Sequence, residues 1–173
     1  MKTKSKRGFT LVELIVTALI TVIIIGAATS AVVLGLEIFG SARKTAAQQR
    51  HIKLVETALK ENILIAQSYT IEERVPGEIP DVNERGVCLF FDNDEIVIKI
   101  QGSVITVSDI DSVEIVFEEV STLCRARYTI TTPGISHQGA IVMNNIQEID
   151  PDAAQCLLEP GSLDVLFMLL PEN

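Results

Sequence analysis

Phe9-Thr10-Leu11-Val12-Glu13-Leu14-Ile15-Val16-Thr17 opens an apolar stretch that carries no charge between Glu13 and Glu37. Residues 14–36 are 23 positions. As a helix rising ~1.5 Å per residue they reach ~35 Å, enough to cross a hydrocarbon core of ~30 Å. Basic residues flank the run only on its N-terminal side, at Lys2, Lys4, Lys6 and Arg7. By the positive-inside rule the N-terminus faces the cytoplasm and the bulk of the chain lies outside it.

Two ordinary readings compete for this segment. A secretory signal peptide has the same basic start, and Ala27-Ala28-Thr29-Ser30-Ala31 offers small residues for a cut. The apolar run, however, continues through Val32, Val33 and Leu34 to spanning length. A plain signal anchor accounts for that length. Neither accounts for Glu13. A carboxylate in such a stretch costs on the order of a few kcal/mol unless it lies at the interface or finds a partner. No basic residue follows before Arg43. The nearest cation is the amine that a cut before Phe9 would create. A helix does not turn its own terminus back onto a side chain one turn in. A neighbouring subunit's amine meets Glu13 if subunits stack with an axial stagger.

A short basic leader ending in Gly8, followed by Phe9-Thr10-Leu11-Val12-Glu13-Leu14-Ile15, resembles the processing site of type IV pilins and pseudopilins. The likeness covers roughly the first thirty residues. It implies cleavage after Gly8 by a prepilin peptidase, N-methylation of Phe9 by the same enzyme, and assembly through Phe9 and Glu13. It implies as partners other pilin or pseudopilin subunits and an inner-membrane assembly platform. Many members carry a proline within the apolar helix; this chain reads Ala28-Thr29-Ser30-Ala31 there. Gly26, Gly35 and the small residues could bend the helix or allow close packing.

Beyond Gly40 the chain turns polar but keeps a helical period. Ala42, Ala46, Gln49, Ile52, Val55, Leu59 and Ile63 recur at three- and four-residue steps. One helix is therefore expected from about Phe9 to Ala66, its second half laying an apolar stripe on a core. Val75-Pro76-Gly77-Glu78-Ile79-Pro80 breaks it. Alternation at period two then predicts strands over residues 87–91, 95–101, 103–107, 113–120, 125–132, 139–143 and 163–170. Asp92-Asn93-Asp94 and Pro133-Gly134 mark turns. The acidic stretch 144–160 is expected to be a loop. The fold class is α+β: a long helix on an antiparallel sheet, the pilin-like architecture that the resemblance also implies. The organisation is a leader at 1–8, a membrane and assembly helix at 9–36, an amphipathic continuation at 37–69 and a β-rich domain at 70–173.

The formal charge is −9, and 10 basic residues face 23 acidic ones once the four leader cations are set aside. So acidic a body repels phosphate backbones, and direct nucleic-acid binding is not expected. No nucleophile elbow or P-loop occurs. His51 reads as a solvated helix residue and His137 as a lone loop histidine, and Glu118-Glu119 alternate across a strand. No enzyme is expected, nor a cofactor. Asp92-Asn93-Asp94 lacks the spaced further ligands that calcium needs. Cys88, Cys124 and Cys156 form no CxxC pair. Outside the cytoplasm a Cys124–Cys156 disulfide is conceivable, with three free thiols the equal alternative.

Together these point to a filament subunit, a minor pilin, exposed at the cell surface or in the periplasm after assembly. The alternatives are a pseudopilin of a type II secretion or competence DNA-uptake system and, in another class, a membrane-anchored extracytoplasmic binding domain.

Overall fold

The computed structural model describes residues 10–75, 78–80, 82, 86–100, 103–120, 123–146 and 149–171. Among the described residues one helix, α1 (Leu11–Ile65), is followed by nine strands. These are β1 (Ser68–Glu73), β2 (Gly86–Asp92), β3 (Glu95–Ile100), β4 (Ser103–Val107) and β5 (Ser112–Val120). The rest are β6 (Leu123–Thr132), β7 (Ile135–Met143), β8 (Gln155–Leu158) and β9 (Asp164–Leu169), with a 3-10 turn at Pro151–Ala153. The chain divides into two compact units between Thr45 and Ala46.

In the first unit the helix is apolar on every side. Leu14, Ile20, Ile24 and Val33 are all at least half exposed or nearly so. A helix that is hydrophobic all round belongs in lipid or among other helices. Its hydroxyls are satisfied by its own backbone. Thr17 Oγ1 donates to the Glu13 carbonyl (2.8 Å), Thr21 to Thr17 (2.7 Å), Thr29 to Ile25 (2.9 Å) and Ser30 to Gly26 (3.0 Å). No donor from these side chains is left for water, as a hydrocarbon environment requires.

The second unit holds residues 46–65 of α1 and all nine strands. The strands form two antiparallel sheets rather than the single one expected. The first runs β1-β9-β2-β3-β4 and the second β7-β6-β5-β8. Ile52, Val55, Leu59 and Ile63 of the helix share one core with Leu89, Phe91 and Ile98 of the first sheet and Ile115, Tyr128 and Ile130 of the second. Val55 and Leu59 are 0 % exposed, each worth roughly 1.5–3 kcal/mol of burial. The stripe is narrower than the periodicity suggests. Ala42, Ala46 and Gln49 are exposed, and Gln48 is buried instead. Its amide donates to the Pro133 carbonyl (2.9 Å) in the β6–β7 turn.

The turns follow their residues. Asp92 pairs with Glu95 across Asn93 and Asp94, both at positive φ (47° and 64°), the geometry that matches strand twist in a two-residue hairpin. Thr132 pairs with Ile135 across Pro133-Gly134, with Gly134 at φ 93°. Proline fixes the first corner and glycine alone takes the second without strain.

Two strands were not expected. β1 straddles the boundary set between the helical continuation at 37–69 and the β-rich domain at 70–173. β8 lies inside the stretch read as a loop, held by pairing with β5. β7 begins at Ile135, four residues before Gly139, so His137 stands in a strand and not in a loop. The Cys124–Cys156 disulfide is not formed. All three thiols are free and buried. Cys124 pairs with Glu119 on one side of β5 and Cys156 with Ile115 on the other. Two strand spacings are about 9–10 Å, beyond the ~7 Å that a disulfide spans. Burial pushes Cys156 up to about 12 and Cys88 up to about 11, so both stay as thiols.

Candidate functional site

The first candidate is the start of α1. Gly8, Phe9 and the leader 1–8 lie outside the described residues; Thr10 and Glu13 are within them. Thr10 caps the helix. Its Oγ1 accepts from the Glu13 amide (3.3 Å), and its carbonyl accepts from Leu14 (3.2 Å). Thr10-x-x-Glu13 has the spacing of a capping box, in which the acid at the third helical position also sits favourably in the helix dipole. The sequence reading missed this local role, although the Thr and Glu three apart signalled it. It explains why an acid is tolerated at the helix start. It does not supply Glu13 with a cation: among the described residues none pairs with it. The apolar helix beyond offers α1 as a candidate membrane span by length and composition.

The second candidate is a polar knot where α1 meets β6 and β7. Glu56 is buried, its side chain 7 % exposed. Lys60 Nζ lies 2.6 Å and Lys53 Nζ 3.0 Å from its oxygens. The Tyr128 hydroxyl donates to Oε1 (2.9 Å), and His137 Nε2 stands 3.2 Å from the same atom. Lys60 above all, with Lys53, Tyr128 and His137, holds the Glu56 carboxyl well below the usual carboxylate range, against the opposing effect of burial. Burial and the adjoining Glu56 push Tyr128 up. Gly139 is the register partner of Tyr128, and a Cβ there would overlap the Tyr128 hydroxyl. The glycine is what lets the phenol cross β7 to reach Glu56.

Lys53, Lys60 and Tyr128 hydrogen-bond Glu56 into a structural tie, while the buried His137 Nε2 beside it makes no hydrogen bond of good geometry. Two lysines neutralise the one carboxylate. His51 is also less solvated than expected. Its side chain is 24 % exposed, with Nδ1 3.6 Å from Asp109 Oδ2. Glu118 and Glu119 alternate as expected. Arg125 and Arg127 hold Glu118, while Glu119 accepts from the Ile149 amide (3.4 Å). A groove of about 490 Å³ runs beside Arg74, whose guanidinium is engaged by the Phe91 carbonyl (2.6 Å) and Asp92 (3.1 Å). Among the described residues no group of three or more His, Cys, Asp or Glu is placed to hold a metal.

Residues 3–29 match the family described as the prokaryotic N-terminal methylation motif. This is the signature of type IV pilins and pseudopilins. Searches of known proteins and of solved structures return no match for the chain. The chain thus carries a pilin-type N-terminus on an α+β body.

Proposed function

We propose that this chain is a filament subunit, a minor pilin, cut after Gly8 by a prepilin peptidase, methylated on Phe9 and assembled with other pilin-like subunits on an inner-membrane platform. Before assembly α1 holds it in the membrane with the N-terminus in the cytoplasm and the β-rich body outside. The observation that carries the reading is the methylation motif at 3–29 joined to a helix whose most apolar window is 0 % buried within the chain. That surface has no use in an isolated subunit except as anchor, and it is the surface a bundle of such helices would bury. Glu13, which pairs with no cation among the described residues, is free to receive the Phe9 amine of a neighbour. A subunit at the extreme tip has no such neighbour, and Glu13 supports the reading that this one can sit beneath another.

The leader junction tests it. With prepilin peptidase coexpressed, the wild-type chain is expected to lose its leader, and Gly8→Val to keep it, on a gel of membrane fractions. Normal maturation of Gly8→Val overturns the cleavage assignment.

A further inference from the structure

Three charges stand at the outer end of the apolar run of α1. Glu37 follows the uncharged stretch, and Arg43 and Lys44 are the next charged side chains. All three are exposed. None has an ion pair among the described residues. Their own helix offers no partner. The positions three and four away from Glu37 are Val33, Leu34, Gly40 and Ser41, and those beyond Lys44 are Ala47 and Gln48. The hydroxyls in this region are closed onto the helix backbone. Ser41 Oγ donates to the Ile38 carbonyl (3.0 Å) and Thr45 Oγ1 to that of Ser41 (3.1 Å). α1 runs unbroken from Leu11 to Ile65, so the spacing of the charges is fixed. Glu37 and Lys44 lie two turns apart on one side of the helix, ~10.5 Å along its axis.

A shared membrane makes neighbouring copies parallel. In register, Glu37 would face Glu37 and Lys44 would face Lys44, and both contacts repel. Raising one copy by seven residues sets its Glu37 beside Lys44 of the lower copy, with Arg43 next to it. The Phe9 amine of a raised copy reaches Glu13 of the lower one at a shift of four residues, ~6 Å. A single displacement of ~8 Å serves both contacts, because it leaves ~2 Å at each, within the reach of Glu and Lys side chains. Lys44 also leans toward the helix N-terminus, and so toward the raised Glu37. The seam agrees. Neighbouring membrane helices cross mostly as left-handed supercoils with a heptad seam. Phe9 precedes Glu37 by 28 residues, four whole heptads. Glu13 precedes Lys44 by 31, four heptads and three residues, the a-to-d step of such a seam.

We infer that a second copy packs along α1, raised by ~8 Å, with its Glu37 on Lys44 and Arg43 of the copy below. The pair is a second latch, at the outer end of the apolar bundle, and with Glu13 it sets the axial offset between copies. The inference rests on the filament reading and names the register of its helix packing.

Cross-linking in sheared filaments tests it. Gly40→Cys and Ala47→Cys in one chain put thiols at exposed seam positions seven residues apart. The Cβ added at Gly40 meets nothing within 4 Å, and the three charges stay in place. The native thiols, at most 3 % exposed, do not compete. Oxidation is expected to give a ladder at multiples of the chain's own mass from the double variant, and no dimer from either single variant. Glu37→Lys should lower incorporation into filaments about tenfold, the order of an interfacial pair turned repulsive. Adding Lys44→Glu to the same chain should restore it, with leader cleavage unchanged throughout. Absence of the wild-type chain from filaments overturns the filament reading and this inference together. With wild type in filaments, three results overturn this inference alone. They are a missing ladder, a dimer from Gly40→Cys by itself, and a loss caused by Lys44→Glu that Glu37→Lys does not relieve, which would mark Lys44 as a contact for a lipid headgroup.

Discussion

Replacing Glu13 by alanine is expected to leave the subunit in the membrane and take it out of the filament. Removing a carboxylate from an apolar helix does not weaken insertion and can improve it. Loss of the acid leaves the Phe9 amine of the neighbour unpaired in a dry bundle. Close charge pairs of this kind couple by more than about 1.5 kcal/mol, so incorporation should fall about tenfold or more. The capping role complicates the alanine variant, because Glu13 is also the third residue of a helix begun by Thr10. Glu13→Gln separates the two. Glutamine serves in a capping box as glutamate does, but it carries no charge. Quantitative blotting of sheared filaments against membranes should find both variants depleted from filaments. If Glu13→Gln assembles like wild type, the charge pair is dispensable and the acid is there for the cap.

Glu56→Gln should be the most destabilising single change in the polar knot, by about 2–3 kcal/mol. It leaves Lys53 and Lys60 without their shared anion and disturbs the Tyr128 and His137 contacts. Breaking a buried pair by removing one partner costs about 3–5 kcal/mol, and the partial exposure of both lysines argues for less. The pH dependence has a definite sign. The Glu56 carboxyl is held below its ordinary value of 4.5 in the folded chain. Its contribution is therefore fully present above about pH 4.5 and is lost as the pH falls toward the depressed folded value. Denaturation of the full chain in detergent, followed from pH 7 to pH 3, should show wild type and Glu56→Gln converging in acid. A constant gap between them across that range would show that the carboxylate charge contributes nothing.

What the sequence made legible follows from period and length. The helix was plain because the run of residues 14–36 is long, apolar and uncharged and the stripe from Ile52 to Ile63 keeps a helical period. Seven strands were plain, most by alternation, and β2 and β9 as short apolar runs bounded by turn residues. β8 was hidden because four residues, with Leu157 apolar on the solvent side, carry no clear period, and its pairing with β5 supplies what its sequence lacks. β1 was hidden by position, directly after a helix of high propensity, although Tyr69-Thr70-Ile71 alternates correctly. The division into two sheets is a matter of which strands pair, and local pattern says nothing of that. At the helix start Glu13 announced itself as an anomaly of charge. The Glu56 knot did not, since Tyr128 lies 72 residues from Glu56 and His137 further still. Gly139 looked like a strand boundary, whereas its lack of a side chain is what seats Tyr128.

The central claim rests on the junction between Gly8 and Phe9, and the intact mass of the membrane-extracted chain after coexpression with a prepilin peptidase tests it most directly. The account predicts a chain that begins at Phe9 and carries one added methyl group. A chain that keeps its leader, or one cut near Ala31, would contradict it.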